Sequence, residues 1–209
     1  MMCDDPPPAC SGRRRTLWLV GGLWVALAAG AMIGPAAASD IATGRAAWRL
    51  LAAPSAVALV RHARTAGGAG DPEGFRLEDC STQRNLTDQG RAQAAALGQR
   101  FRANGVAVEL VLSSRWCRCL DTARLAFGGV EPWPALDNLY ANSAREPEQS
   151  AEVRRRIRAW SRPGAMVMVT HGVNILPLTG IAPAEGEVVV LHPDEESDFK
   201  VVGRIPPGQ

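Results

Sequence analysis

The sequence predicts an α/β protein: a three-layer α/β/α sandwich whose central sheet is mostly parallel and closes with an antiparallel C-terminal hairpin. Three observations predict it. Short Val-rich apolar runs recur at Val57 to Val60, Val108 to Leu112, Met166 to Val169 and Val188 to Leu191. They are continuous rather than alternating, as strands covered on both faces require. Helix-type segments lie between them, which is the alternation of a parallel sheet with crossover helices. A further run, Phe199 to Arg204, follows the turn-like stretch Pro193 to Asp198 and folds back on Val188 to Leu191 as a hairpin.

Ahead of the first strand the chain has two distinct parts. Residues Thr16 to Ser39 carry no charge, follow the cluster Arg13, Arg14, Arg15, and end in Ala36, Ala37, Ala38. Positive charge, an apolar run and small residues in that order read as an export signal. Residues 1–38 are therefore expected to be a signal peptide cut after Ala38, or else an N-terminal membrane anchor, since about 20 apolar residues span a bilayer. The expected address is outside the cytoplasm, in a periplasm or on the inner membrane, and the N-terminal segment is the only expected membrane contact. Residues 39–54 read as a linker or a short helix, and 55–206 as the folded domain.

Within that domain Thr87 can cap a helix running to Arg100 or Ala103, with Leu97 and Phe101 on its apolar side and Gly105 as its stop. A second helix opens after Ser113 and Ser114, near Arg115, and runs to about Phe127. A third covers Glu148 to Trp160 before Pro163 and Gly164. In this last helix Arg154, Arg155, Arg156 and Arg158 form a polar face, with Val153, Ile157 and Trp160 on the buried side.

Composition excludes several chemistries. The 209 residues carry a formal net charge of +2, too little for a chain built around nucleic acid. There are 22 Arg but one Lys, Lys200, so a P-loop lysine is absent. The three His and five Cys contain no Cys-x-x-Cys and no His-Glu-x-x-His, so no metal site and no cofactor is expected. Without residues 1–38, Cys80, Cys117 and Cys119 remain. On one helix Cys117 and Cys119 would sit about 200° apart and could not bond each other. Cys80 could pair with either, or all three could stay as buried thiols.

The chemistry concentrates at strand ends. In open α/β sheets ligands bind outside the carboxyl ends of the strands. Arg61 and His62 end the first strand, Ser113 and Ser114 the second, with Arg118 on the first turn beyond, and Thr170 and His171 the third. Two imidazoles and two guanidiniums in one crevice, beside a helix N-terminus, outline a site for an oxyanion such as phosphate. His192 matches no such pattern and is expected to be inert. Arg64 and Arg84 could reach the rim or face solvent.

The stretches "LVRHA" at 59–63, "LSSRWCRCLDTA" at 112–123 and "VTHG" at 169–172 resemble the histidine phosphatase superfamily, the phosphoglycerate-mutase-like fold, and "NLTDQGRAQAAALG" at 85–98 resembles its first crossover helix. The resemblance implies metal-independent hydrolysis of a small phosphorylated substrate. By it His62 is the nucleophile that becomes a phosphohistidine, Arg61 and Arg118 grip the non-bridging oxygens, and His171 completes the pocket. Ser114 is expected beside the phosphate. The chain departs from the pattern at Ala63, where Gly is usual, and at Arg115, where Pro is usual. It also departs at the acid that protonates the leaving group, for which Asp137 is the match by order, with Glu146 and Glu148 as alternatives. The other reading is a phospho-ligand-binding module of the same fold that has lost turnover.

Overall fold

The computed structural model describes residues 41–140 and 142–208; the expected signal peptide or anchor at 1–38 lies outside the described residues. Eleven elements follow in order. They are α1 (Gly44–Leu51), β1 (Val57–Arg61), α2 (Asp88–Ala103), β2 (Val108–Ser113), α3 (Cys117–Phe127), β3 (Glu131–Pro132), α4 (Glu146–Arg158), β4 (Ala165–Thr170), α5 (Gly172–Thr179), β5 (Val188–Asp194) and β6 (Asp198–Ile205). No helix among the described residues is long and apolar enough to cross a membrane.

The strands form one mixed sheet in the order β3-β2-β4-β1-β5-β6. The first four run parallel, while β5 is antiparallel to both β1 and β6. The fold is thus α/β with a mostly parallel sheet and an antiparallel C-terminal hairpin. The alternating direction of side chains along a strand divides the core in two. Ala58, Val60, Val167, Val169, Val188 and Val190 face one layer, with Trp48, Leu51, Leu97, Phe101, Cys119 and Ala123 of α1, α2 and α3. Val57, Leu59, Met166, Met168, Val189 and Leu191 face the other, with Val153, Ile157, Ile175 and Leu178 of α4 and α5. Both faces are covered, which is why these strands are written as unbroken apolar runs.

Local chemistry sets the helix positions. The Thr87 hydroxyl accepts from the Gly90 N–H and caps α2. Gly98 lets α2 and α3 meet: a Cβ there would stand 1.9 Å from the Ala126 carbonyl oxygen. Helix α3 begins two residues later than expected from Arg115, because the Arg115 N–H and guanidinium are committed to Asp137 and Trp116 takes the cap position. Helix α4 begins at Glu146, earlier than the expected Glu148, with Pro147 in its first turn, and it ends at Arg158. Two elements went unexpected: the two-residue edge strand β3 and the short helix α5, which contains Pro177.

Register positions the site. Arg61 is paired with Thr170 across β1 and β4, and Ser113 with Val169 across β2 and β4. The carboxyl ends of three parallel strands therefore finish side by side. His62, Ser114 and His171 follow at the same level, tied there by His62 N–H to Thr170 O and Ser114 N–H to Val169 O, both 2.9 Å.

Candidate active site

Five of the strand-end and loop residues line one cavity of about 240 Å³: Arg61, His62, Arg84, Arg118 and His171. The imidazoles of His62 and His171 lie with ring centroids 5.4 Å apart. His62 Nδ1 is 2.8 Å from the Ala63 carbonyl oxygen. A carbonyl only accepts, so Nδ1 carries the proton and Nε2 keeps its lone pair. The turn after His62 is in turn anchored to α3, since Ala63 N–H donates to Thr122 Oγ1 and that hydroxyl donates to Arg118 O.

Both imidazoles are neutral. Burial is the main cause for His62, whose pKa is pushed down to about 3 with help from the positive Arg118, Arg61 and Arg84; the bond to Ala63 opposes this and is outweighed. His171 is held well below its ordinary value by burial first, then by His62 and the same three guanidiniums. Its Nε2 lies 2.9 Å from Ser114 Oγ, and Trp116 N–H donates into that same hydroxyl. This contact fixes the orientation of the His171 ring against the start of α3. Ser114, expected to touch phosphate, is fully buried behind His171 and does not line the cavity.

The guanidiniums are held from behind. Arg118 is 1% exposed and pairs with the buried Asp71, with Nη1 to Oδ1 at 2.7 Å and Nη2 to Oδ2 at 3.3 Å. Asp71 also accepts from Trp116 Nε1 at 2.9 Å and from Arg84 N–H at 3.0 Å. Burial alone would raise the Asp71 pKa, but these donors together bring it below the ordinary value, so it is a carboxylate. Arg84 donates through Nη1 to Thr65 Oγ1 and to the Ala66 and Gly68 carbonyls. Arg61 donates through Nη1 to Pro183 O, and its Nη2 stands 3.9 Å from Glu185. Each of the three guanidiniums keeps one buried donor, its Nε, with no hydrogen-bond partner among the described residues. Three guanidiniums against the carboxylates of Asp71 and Glu185 leave one uncompensated positive charge. A surplus positive charge at one cavity suits an oxyanion.

Asp137 is not brought to this cavity. Its carboxylate accepts from Arg115 N–H and from both Nε and Nη2 of the same residue. Glu146, one of the alternatives, accepts from Ser150 Oγ on α4, and Glu148 stands 3.9 Å from Arg145. Sequence reasoning left Arg84 undecided, expected the loops Ala66 to Thr82 and Asn138 to Gln149 to wall the pocket without singling out Asp71, Asn138 or Tyr140, and missed Val173. The signal for Asp71 was indirect: an arginine buried on the first turn of α3 needs a carboxylate, and the loop before α2 was the place to look. Cys80 is bonded to Cys117, and Cys119 is a buried free thiol 3.5 Å from His171 Nε2, its pKa pushed up to about 12, chiefly by burial. His192 lies apart from the site and meets Leu50 O. Among the described residues no cluster of three or more His, Cys, Asp or Glu side chains is placed to hold a metal ion.

An α/β sheet that gathers a lone-pair imidazole, a second neutral imidazole and three guanidiniums at its strand ends defines a protein built to handle a phosphoryl-like oxyanion. The sequence profile of the histidine phosphatase superfamily (branch 1) matches residues 57–165, and the chain belongs to that superfamily. The matched span holds His62 and Arg118 and stops short of His171, which the fold brings in. No curated protein matches the chain. Among solved structures, similar folds include a protein assigned as a phosphohistidine phosphatase, SixA, from Agrobacterium tumefaciens, at 20% identity and TM-score 0.51, covering 74% of this chain and 99% of that one. The product of open reading frame Rv3214 from Mycobacterium tuberculosis gives 19% identity and TM-score 0.53, with coverage of 74% and 98%. The phosphoserine phosphatase of Entamoeba histolytica, solved with 3-phosphoglyceric acid, gives 14% and 0.52, with coverage of 71% and 95%. These likenesses are likenesses of fold.

Proposed function

We propose that this chain is an exported phosphatase that hydrolyses a small phosphomonoester, without a metal ion, through a phosphohistidine on His62. The observation that carries the reading is the bond from His62 Nδ1 to Ala63 O, which leaves Nε2 as a free nucleophile in a cavity lined by three guanidiniums. The Nε2 lone pair attacks phosphorus, and the bond from phosphorus to the leaving oxygen breaks with its electron pair on that oxygen, which then takes a proton from water. Charge gathering on the non-bridging oxygens meets Arg61, Arg84, Arg118 and His171. Loss of one such preorganised donor typically lowers the rate by about 10²- to 10³-fold. A water molecule next attacks the phosphohistidine, the P–N bond returns its pair to Nε2, and inorganic phosphate leaves.

The positive charge that the transition state needs comes from guanidiniums, so a chelator is expected to leave the rate unchanged. The test is steady-state hydrolysis of acetyl phosphate and p-nitrophenyl phosphate, with mass spectrometry of the acid-labile adduct after a rapid quench. The adduct is expected on His62, and His62→Ala is expected to abolish both adduct and turnover; turnover that survives His62→Ala refutes the reading. One observation favours the alternative of a binding module: no carboxyl group lines the cavity among the described residues. Tight binding of phosphate by the parent protein with no turnover of either substrate would establish it.

Export is supported by the apolar segment that follows Arg15 and by the Cys80–Cys117 bond, since disulfides persist in oxidising compartments. The N-terminal residue of the mature chain and its recovery in the periplasmic or membrane fraction test it.

A further inference from the structure

We propose that the site is built for aryl phosphates, with Tyr140 and Val173 as the wall that receives the aromatic leaving group. This rests on the phosphatase reading above and narrows its substrate class. The first argument is the absence of an acid. Among the described residues the carboxylates that meet the cup's arginines are already engaged, Asp71 by Arg118, Trp116 and Arg84 and Glu185 by Thr65 Oγ1, and Asp137 is held away by Arg115. His171 is a neutral imidazole at ordinary pH and so a poor proton donor to a departing alkoxide. A leaving group must therefore depart largely unprotonated. A phenol, with a pKa near 10, can do so. An aliphatic alcohol, about as weak an acid as water, cannot do so at a useful rate.

The second argument is independent and lies at the cavity mouth. Five large apolar side chains are exposed among the described residues, and two of them meet here: Tyr140 at 60% and Val173 at 40%. Tyr140 and Val173 line the cavity itself. The Tyr140 ring lies against the backbone of Gly70, whose φ of +76° suits glycine and where a Cβ would stand 2.9 Å from the ring. The ring is thus backed by the loop before α2 with its other side free. Tyr140 and Val173 share the cavity with Arg61, Arg84 and Arg118, so the site can pair a phosphoryl dianion with a flat apolar group. Exposed apolar surface concentrated at a charged cavity is the pattern of a ligand wall rather than of incidental surface residues.

The experiment measures kcat/KM of the full chain for a series of substituted phenyl phosphates, for glycerol phosphate, and for acetyl phosphate, which is activated but has no ring. Three results are expected. Phenyl phosphates exceed glycerol phosphate by at least about 100-fold, as an unprotonated leaving group demands. The rate rises as the phenol becomes more acidic. Tyr140→Ala lowers the ratio of phenyl phosphate to acetyl phosphate by about two- to tenfold, the range of one aromatic pair, mainly through KM. Tyr140 is exposed, so this variant is expected to fold. Equal turnover of glycerol and phenyl phosphates, or an unchanged ratio in Tyr140→Ala, overturns the inference while leaving the phosphatase reading intact if acetyl phosphate still labels His62. If the parent protein hydrolyses none of the three, both fall together.

Discussion

Cys80 lies on a 3-10 turn, Cys80–Thr82, in the loop that also supplies Asp71 and Arg84, and Cys117 immediately precedes Arg118. The bond between them closes a segment with a sequence separation of 37 residues. In the chain-entropy account a closed loop of that length removes about 13 cal/mol/K from the denatured ensemble, or about 4 kcal/mol at 25 °C. For a domain of this size each kcal/mol moves the melting temperature by about 2–4 °C, so the loss of the bond should lower it by roughly 8–16 °C. The perturbation is the double variant Cys80→Ser/Cys117→Ser, which avoids leaving a lone thiol. The native loop has other attachments. Gln83 Oε1 accepts from Cys117 N–H, and Asp71 holds Arg118, Trp116 and the Arg84 N–H at once. The cup should therefore survive in the folded state, and the effect should fall on the denatured one. Urea denaturation at fixed pH is expected to show about 4 kcal/mol less stability and a steeper denaturant slope, since a chain without the cross-link exposes more surface on unfolding. Phosphate affinity should change little. A variant with parental stability, or one whose phosphate affinity falls as far as its stability, would refute the reasoning.

Three other expectations follow from named contacts. Asp71→Asn leaves the buried Arg118 guanidinium without its counter-charge, which should remove about 3–5 kcal/mol of stability; added inorganic phosphate should stabilise this variant more than the parent in a thermal melt, because an anion in the cup replaces the lost charge. His62 is neutral when folded, with a pKa of about 3 against about 6.5 when unfolded, so its contribution is complete above pH 6.5 and is lost as pH falls from there towards 3. At pH 5 His62 alone should lower stability by about 2 kcal/mol relative to pH 7.5, with His171 acting in the same direction, and denaturation midpoints that do not differ between these pH values would contradict a neutral buried pair. Gly98→Ala places a methyl group 1.9 Å from Ala126 O and should cost about 1–3 kcal/mol by forcing α2 from α3, read as a lower melting temperature.

Most of the sheet was legible because burial on both faces is written directly into β1, β4 and β5 as unbroken apolar runs. Strand direction is a different matter. Burial pattern is blind to polarity, so β5 looks in sequence like any parallel strand, and the hairpin establishes only that β5 and β6 oppose each other. Its second antiparallel pairing, with β1, carried no local signal. The elements missed are those with little to bury or an unfavourable residue: β3 is two exposed residues, and α5 holds Pro177 within eight.

The site divides along the same physical line. His62, Arg118 and His171 sit at or just beyond the ends of regular elements, so strand register alone gathers them, and their positions could be read before the fold was known. Asp71, Arg84 and Tyr140 come from irregular loops, where no periodicity says which way a side chain turns. Asp137 shows the limit most sharply. Its place in the chain suited a proton donor, but order does not give direction, and its carboxylate is taken by Arg115. Two departures from the family pattern, an arginine where proline is usual and an acid that does not reach the cavity, thus share one contact. Proline has neither a backbone N–H nor a guanidinium to offer, whereas Arg115 gives both to Asp137 and holds it as a neutralised strut beneath the helix that carries Arg118.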